Sequence, residues 1–148
     1  MKHTEAPPDF QNLHEQLQQA IQDGRSTLAQ ILEAVPVGIF VIDASGKPFY
    51  ANKIAQSLLG RGIAPDAGPE QLAETYHAYL AGTSTKYPAF QMPIVRALSG
   101  ETTVVTDMEI HHPDRVIPLQ VWAAPIVDEN GSIVSAIAAF SDISERKD

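Results

Sequence analysis

The chain has 148 residues, enough for one domain with a real core, and its 44% apolar and 19% charged composition is globular. A net charge of −8 argues against nucleic acid and anionic membrane surfaces as partners, and no apolar run is long enough to cross a bilayer. The absence of cysteine excludes disulfides, thiolate chemistry and any cysteinyl cofactor adduct, and fits a cytoplasmic protein.

Residues 1–9 are polar, carry the pair Pro7-Pro8 and lack an apolar signal-peptide core, so they read as a disordered lead. From Phe10 the spacing turns helical. Phe10, His14, Leu17, Ile21, Gly24, Leu28, Ile31 and Val35 alternate at four and three residues, a heptad seam widened by Leu13, Ala20 and Leu32. Pro36 ends this helix, because the residue before a proline is driven out of the α region. The seam predicts a homodimer that buries Leu17, Ile21, Leu28 and Ile31 between chains; an ordinary amphipathic helix packed on its own sheet is the competing account.

A strand is expected from Gly38 to Asp43, a turn at 44–47, and a second strand from Pro48 to Ala51. Asn52 is placed as the N-cap of a helix from Lys53 to Leu59 that stops at Gly60. A loop follows, then a helix from Pro69 to Leu80, a polar loop at 82–87, and a short helix from Pro93 to Ser99. Thr102 to His112 alternates, placing Val104, Met108 and Ile110 on one face and Asp107, Glu109 and His111 on the other. Two more apolar strands follow, joined at Asn130-Gly131, a dipeptide suited to a type I′ hairpin. The second of them runs into Asp142, with Glu145 three residues on. That pairing is an acidic form of the capping box and predicts a helix start at 142–148.

The predicted class is α+β: a five-stranded antiparallel sheet, short helices inserted between its second and third strands and packed on one face, and an N-terminal amphipathic helix. The last strands are apolar on both faces, so both sides of the sheet should be covered, the second side by the N-terminal helix or by another copy of the chain.

This order, with its motifs, resembles the PAS domain, the sensory module found upstream of many bacterial histidine kinases, cyclases and phosphodiesterases. The resemblance covers roughly residues 30–147. Residues 31–43 resemble the family's entry helix and first strand, and Asn52 to Gly60 its Asn-initiated helix. Met92 to Glu101 resembles the helix-then-Gly-Glu segment of one subgroup, and Asp142-Ile143-Ser144 the Asp-Ile-Thr motif at the exit. Two departures stand out: Asp114-Arg115 where many members have Asp-Gly, and Ser144 for Thr.

The resemblance implies residues 36–141 as the domain, an output domain beyond residue 148, and a signal passed through Asp142 and Glu145 to a helix that starts there. It implies a small molecule held between the sheet and the middle helices. Tyr50, Asn52, Tyr76, Tyr79, Tyr87, Met92, Trp122 and Phe140 are the candidate lining residues. A filled apolar core is the competing account of each, and the N-cap that of Asn52. The cofactor stays unassigned. A haem of this superfamily takes an axial His from the helix before the third strand, and residues 93–99 hold none; His77 is an outside candidate. Cysteinyl flavin is excluded, non-covalent flavin is not. No metal site is expected, since His111 and His112 are adjacent on a strand and point to opposite faces. No catalytic base-and-nucleophile pair is evident, so the reading is a non-enzymatic sensory module. A ligand-free dimerisation module is the second reading and a small enzyme using the same cavity the third.

Overall fold

Two hairpins of the same design frame the sheet in a computed structural model that describes residues 33–64 and 66–144, together with Gln30. In the first, β1 (Gly38–Asp43) turns into β2 (Pro48–Ala51). Asp43 Oδ1 accepts from the N–H groups of Ser45 and Lys47, and Gly46 takes φ +93°. The second joins β5 (Val116–Val127) to β6 (Ile133–Asp142). Here Asp128 Oδ1 accepts from Asn130 and Ser132, and Gly131 takes φ +83°.

This second turn differs from the expected type I′. Gly131 alone takes a positive φ there and Asn130 does not, so the loop is a type I turn closed by a left-handed glycine. The extra residue is absorbed by a register shift between Ile126 and Val127. The physical reason is the Asp128 carboxylate, which gathers two N–H groups that a two-residue turn would leave apart.

The middle elements are α1 (Lys53–Leu59), α2 (Leu72–Tyr76) and α3 (Pro93–Ala97), with short 3₁₀ turns at Pro69–Gln71 and Ala89–Gln91. Asn52 caps α1, and Gly60 ends it at φ +83°. The expected helix over 69–80 ends early. His77 adopts φ 57° and turns the chain into β3 (Ala78–Leu80), a sixth strand paired with β4 (Thr103–His111). A strand of three residues carries too weak a period to be separated from the preceding helix by pattern alone.

All pairings are antiparallel, in the order β2-β1-β6-β5-β4-β3. A bulge between Val105 and Met108 resets the faces of β4. Met108 and Ile110 therefore face the helices, while Val104 packs with Trp122 on the opposite side, against the expectation that all three share a face.

Both faces are buried. On the helix side Phe40, Ile42, Leu119, Val121, Ala138 and Phe140 meet Ala55, Leu72, Tyr76 and Ile94. On the far side Ile39, Val41, Trp122, Ala124, Ile126, Ile137 and Ala139 are all at most 5% exposed. Each large side chain so buried contributes about 1.5–3 kcal/mol. Glu33 and Ala34 are helical, and the helix has ended by Val35, ahead of Pro36. The lead at 1–9, the seam residues Leu17, Ile21, Leu28 and Ile31, and Glu145 lie outside the described residues.

Candidate functional site

Between the sheet and the three helices lies a cavity of about 50 Å³. Its wall is built by strand alternation: Phe40 from β1, Met108 from β4, Leu119 and Val121 from β5, and Phe140 from β6. Tyr76 of α2 and Met92 at the head of α3 close the other side. No polar surface faces the cavity. Among the described residues Tyr76 is the one lining residue with an ionisable group, and its hydroxyl is engaged outward, accepting from the Ala64 N–H at 3.0 Å and reaching the Gly62 carbonyl at 3.3 Å. Burial raises the Tyr76 pKa above the usual phenol value. Its ring meets Phe40 edge to face at 5.2 Å. Such a space can hold an apolar group; it offers no acid, base or nucleophile.

Of the eight candidate lining residues, the fold brings Tyr76, Met92 and Phe140 to the cavity. Tyr87 is buried in the same core but turns its hydroxyl to Asp107 at 2.8 Å. Burial first, and then the Asp107 carboxylate, hold its phenol protonated well above the usual range. Trp122 lies on the far face of the sheet, because it is one residue out of phase with Val121. Tyr50 packs on that face too and donates to Glu33. Tyr79 stacks on His111 with ring centroids 3.8 Å apart. The wall also includes Met108, Leu119 and Phe40, which lie outside the eight candidates. Their signal was alternation, and in β4 the bulge obscured it.

Asn52 does more than cap. Its Oδ1 accepts from the N–H groups of Ala55 and Ile39, each at 2.9 Å, and its Nδ2 donates to the Val37 carbonyl at 3.0 Å. One buried side chain thus ties the entry segment, β1 and α1 together, and Asn52 is 1% exposed. At the exit, Asp142 is still in β6, paired with Leu119. Its Oδ1 accepts from the N–H and hydroxyl of Ser144, the former at 2.8 Å. This is the opening half of the expected cap; the Glu145 half lies outside the described residues.

A second, larger cleft of about 420 Å³ opens where α1 ends, bordered by Leu59, Arg61, His77, His111 and His112. Both residues border it, but their rings part: His111 joins Tyr79 and Glu109 on the sheet face away from the helices, and His112 reaches the Leu58 carbonyl at the end of α1. No group of three or more metal-ligating side chains placed to hold an ion occurs among the described residues.

A family model described as the PAS fold matches residues 32–148. The chain belongs to the PAS family. The signal transduction histidine-protein kinase AtoS of Escherichia coli (strain K12) is 28% identical to this PAS chain over 134 residues, 89% of the chain and 20% of the kinase. The chain therefore spans about a fifth of that relative's length. The PAS domain of nitrogen regulation protein NR(II) from Vibrio parahaemolyticus superposes with a TM-score of 0.54 at 20% identity, covering 78% of this chain and 96% of that one. A light-oxygen-voltage domain studied with a flavin analogue superposes at 0.58 with 18% identity, covering 84% and 89%. These structures share the PAS fold, a curled antiparallel sheet with short helices on one face.

Proposed function

We propose that this PAS domain is the sensory module of a larger signalling protein, responding to a small apolar ligand in the cavity beneath α2 and α3. The observation that carries this reading is the continuity from that cavity to the exit: Leu119 lines the cavity and pairs with Asp142, the residue that shapes the chain leaving the sheet. A ligand that favours one arrangement of the sheet and its flanking segments shifts the population of the exit in the same step. The likeness to a histidine kinase supports an output domain C-terminal to residue 148, with 142–148 as the start of its linker and 10–35 as a signalling helix that pairs two chains. A cytoplasmic location accords with this role; among the described residues no helix is long and apolar enough to cross a membrane.

The cavity does not fit a flavin or a haem. Its volume of about 50 Å³ is a fraction of the roughly 300–1,000 Å³ of ordinary ligand pockets, and its wall has no hydrogen-bond donor for a flavin ring. The same small volume favours a second reading, a ligand-free dimerisation module that relays conformational change alone. Mass spectrometry of the purified, denatured protein separates the two. A stoichiometric small apolar molecule, displaced when Ala138→Val fills the cavity, is the expected result. Ligand-free protein, with no rise in Tm when small hydrocarbons or apolar gases are added, leaves the second reading.

A further inference from the structure

We infer that the cleft bordered by Arg61, His77, His111 and His112 is a binding site for a small dianion, an organic dicarboxylate or a phosphate. Its volume of about 420 Å³ falls in the range of small-ligand pockets. The chain carries 18 acidic and 10 basic residues, yet among the described residues no Asp or Glu borders this cleft, while Arg61, His77, His111 and His112 do. Glu109, two residues before His111, has both oxygens committed, Oε2 to His111 at 2.8 Å and Oε1 to the Gly82 N–H at 3.1 Å.

The basic residues come from three separate places, and contacts hold the side chains of Arg61, His111 and His112. The Arg61 guanidinium lies 5.8 Å from the centre of the Tyr76 ring. His77 sits at the left-handed junction of α2 and β3, and its carbonyl accepts from the His111 N–H at 3.0 Å. His111 is clamped between the Tyr79 ring and Glu109. His112 Nε2 is 2.8 Å from the Leu58 carbonyl, and its ring occupies the space a Gly60 side chain would need, at 2.9 Å. Donors ordered in advance cost little entropy when a ligand arrives.

The same contacts select an anion over a cation. A carbonyl can only accept, so His112 Nε2 carries its proton and cannot ligate a metal through that atom. Arg61 adds a permanent charge with paired donors suited to carboxylate or phosphate oxygens.

The test is calorimetric titration of the 148-residue chain with malonate and, separately, inorganic phosphate. Saturable binding of at least one is expected, and the tighter of the two names the source of the dianion. Arg61→Gln should weaken it by about tenfold or more. His77→Asn keeps a residue that tolerates the left-handed backbone and should weaken it several-fold. Arg96→Gln removes a guanidinium that pairs with Glu101 and does not border the cleft, and should leave binding unchanged. Ring resonances of His111 and His112 should shift on titration of the wild type. The absence of saturable binding for both anions, or wild-type affinity in folded Arg61→Gln and His77→Asn, would overturn the assignment.

Discussion

Leu119 and Asp142 face each other in the β5–β6 ladder, one with its side chain on the cavity wall and the other at the point where the chain leaves the sheet. A displacement of the Leu119 backbone is carried to Asp142 by direct strand pairing, and from Asp142 to Ser144 by the side-chain bonds that fold the exit. Ile143 is tied to the same strand through its N–H to the Pro118 carbonyl at 3.0 Å.

Asp142→Ala should therefore separate folding from signalling. The residue is exposed, and losing its turn contacts should cost no more than about 1 kcal/mol. In the full-length protein, output should lose its response to the signal while the melting temperature stays close to wild type. Output activity measured with and without signal decides it: a folded variant that keeps the wild-type ratio makes Asp142 a local turn former only.

Asn52→Ala should be among the most damaging single substitutions in the domain. It removes the α1 cap, worth about 1 kcal/mol, and strands the buried Ile39 N–H and the Val37 carbonyl, at about 1–3 kcal/mol each. Asn52→Asp keeps the two acceptor bonds but replaces the donor to Val37 by an oxygen that the carbonyl repels, so it should fall between wild type and alanine. Urea midpoints of the three proteins give the order. Equal loss for Asp and Ala would show that the Val37 contact dominates.

The sequence made some of this legible and hid the rest for identifiable reasons. Asn52 before an apolar helix, Gly60 after it and the Asp43–Gly46 turn carry their conformations in their own chemistry, and the structure has each where the residues indicate. Trp122, Tyr50 and Tyr79 lie away from the cavity, and their aromatic size says nothing about which face a strand residue takes. The bulge at 105–108 reversed the phase of β4, and it depends on pairing with β5 and on the Ala81 N–H to Asp107 carbonyl bond, both non-local. The cleft at His77, His111 and His112 needed three distant segments to be brought together.

Tyr87 gives the alkaline limb of stability a definite sign. Burial and then Asp107 raise its pKa, so the folded protein keeps a proton that the unfolded chain releases above about pH 10. Stability is fully present below the unfolded value and falls as pH rises from about 10 toward the folded value. Tyr50, raised by burial and then by Glu33, adds in the same direction. Tyr87→Phe should be less stable at neutral pH, having lost the bond to Asp107, but should lose less on going from about pH 9 to about pH 11. Urea unfolding at the two pH values tests this; an unchanged difference between them would mean that other groups set the alkaline slope.

Gly38 and Phe140 set the last prediction. They are paired across β1 and β6, and a side chain on Gly38 would meet Phe140 Cε1 at 2.7 Å and the Ala55 backbone at 3.1 Å. The Phe140 ring can yield; the Ala55 backbone, fixed at the first turn of the capped helix α1, cannot do so cheaply. Gly38→Ala should thus press Phe140 toward the cavity it lines and cost about 1–3 kcal/mol as overpacking. Phe140→Leu in the same chain relieves the clash, so the double variant should recover part of the loss, although Phe140→Leu alone is destabilising. A double-mutant cycle from urea unfolding measures the coupling. A favourable interaction between the two substitutions places the strain at this contact. Simple additivity would mean that Ala55, and with it the position of α1, absorbs the added methyl instead.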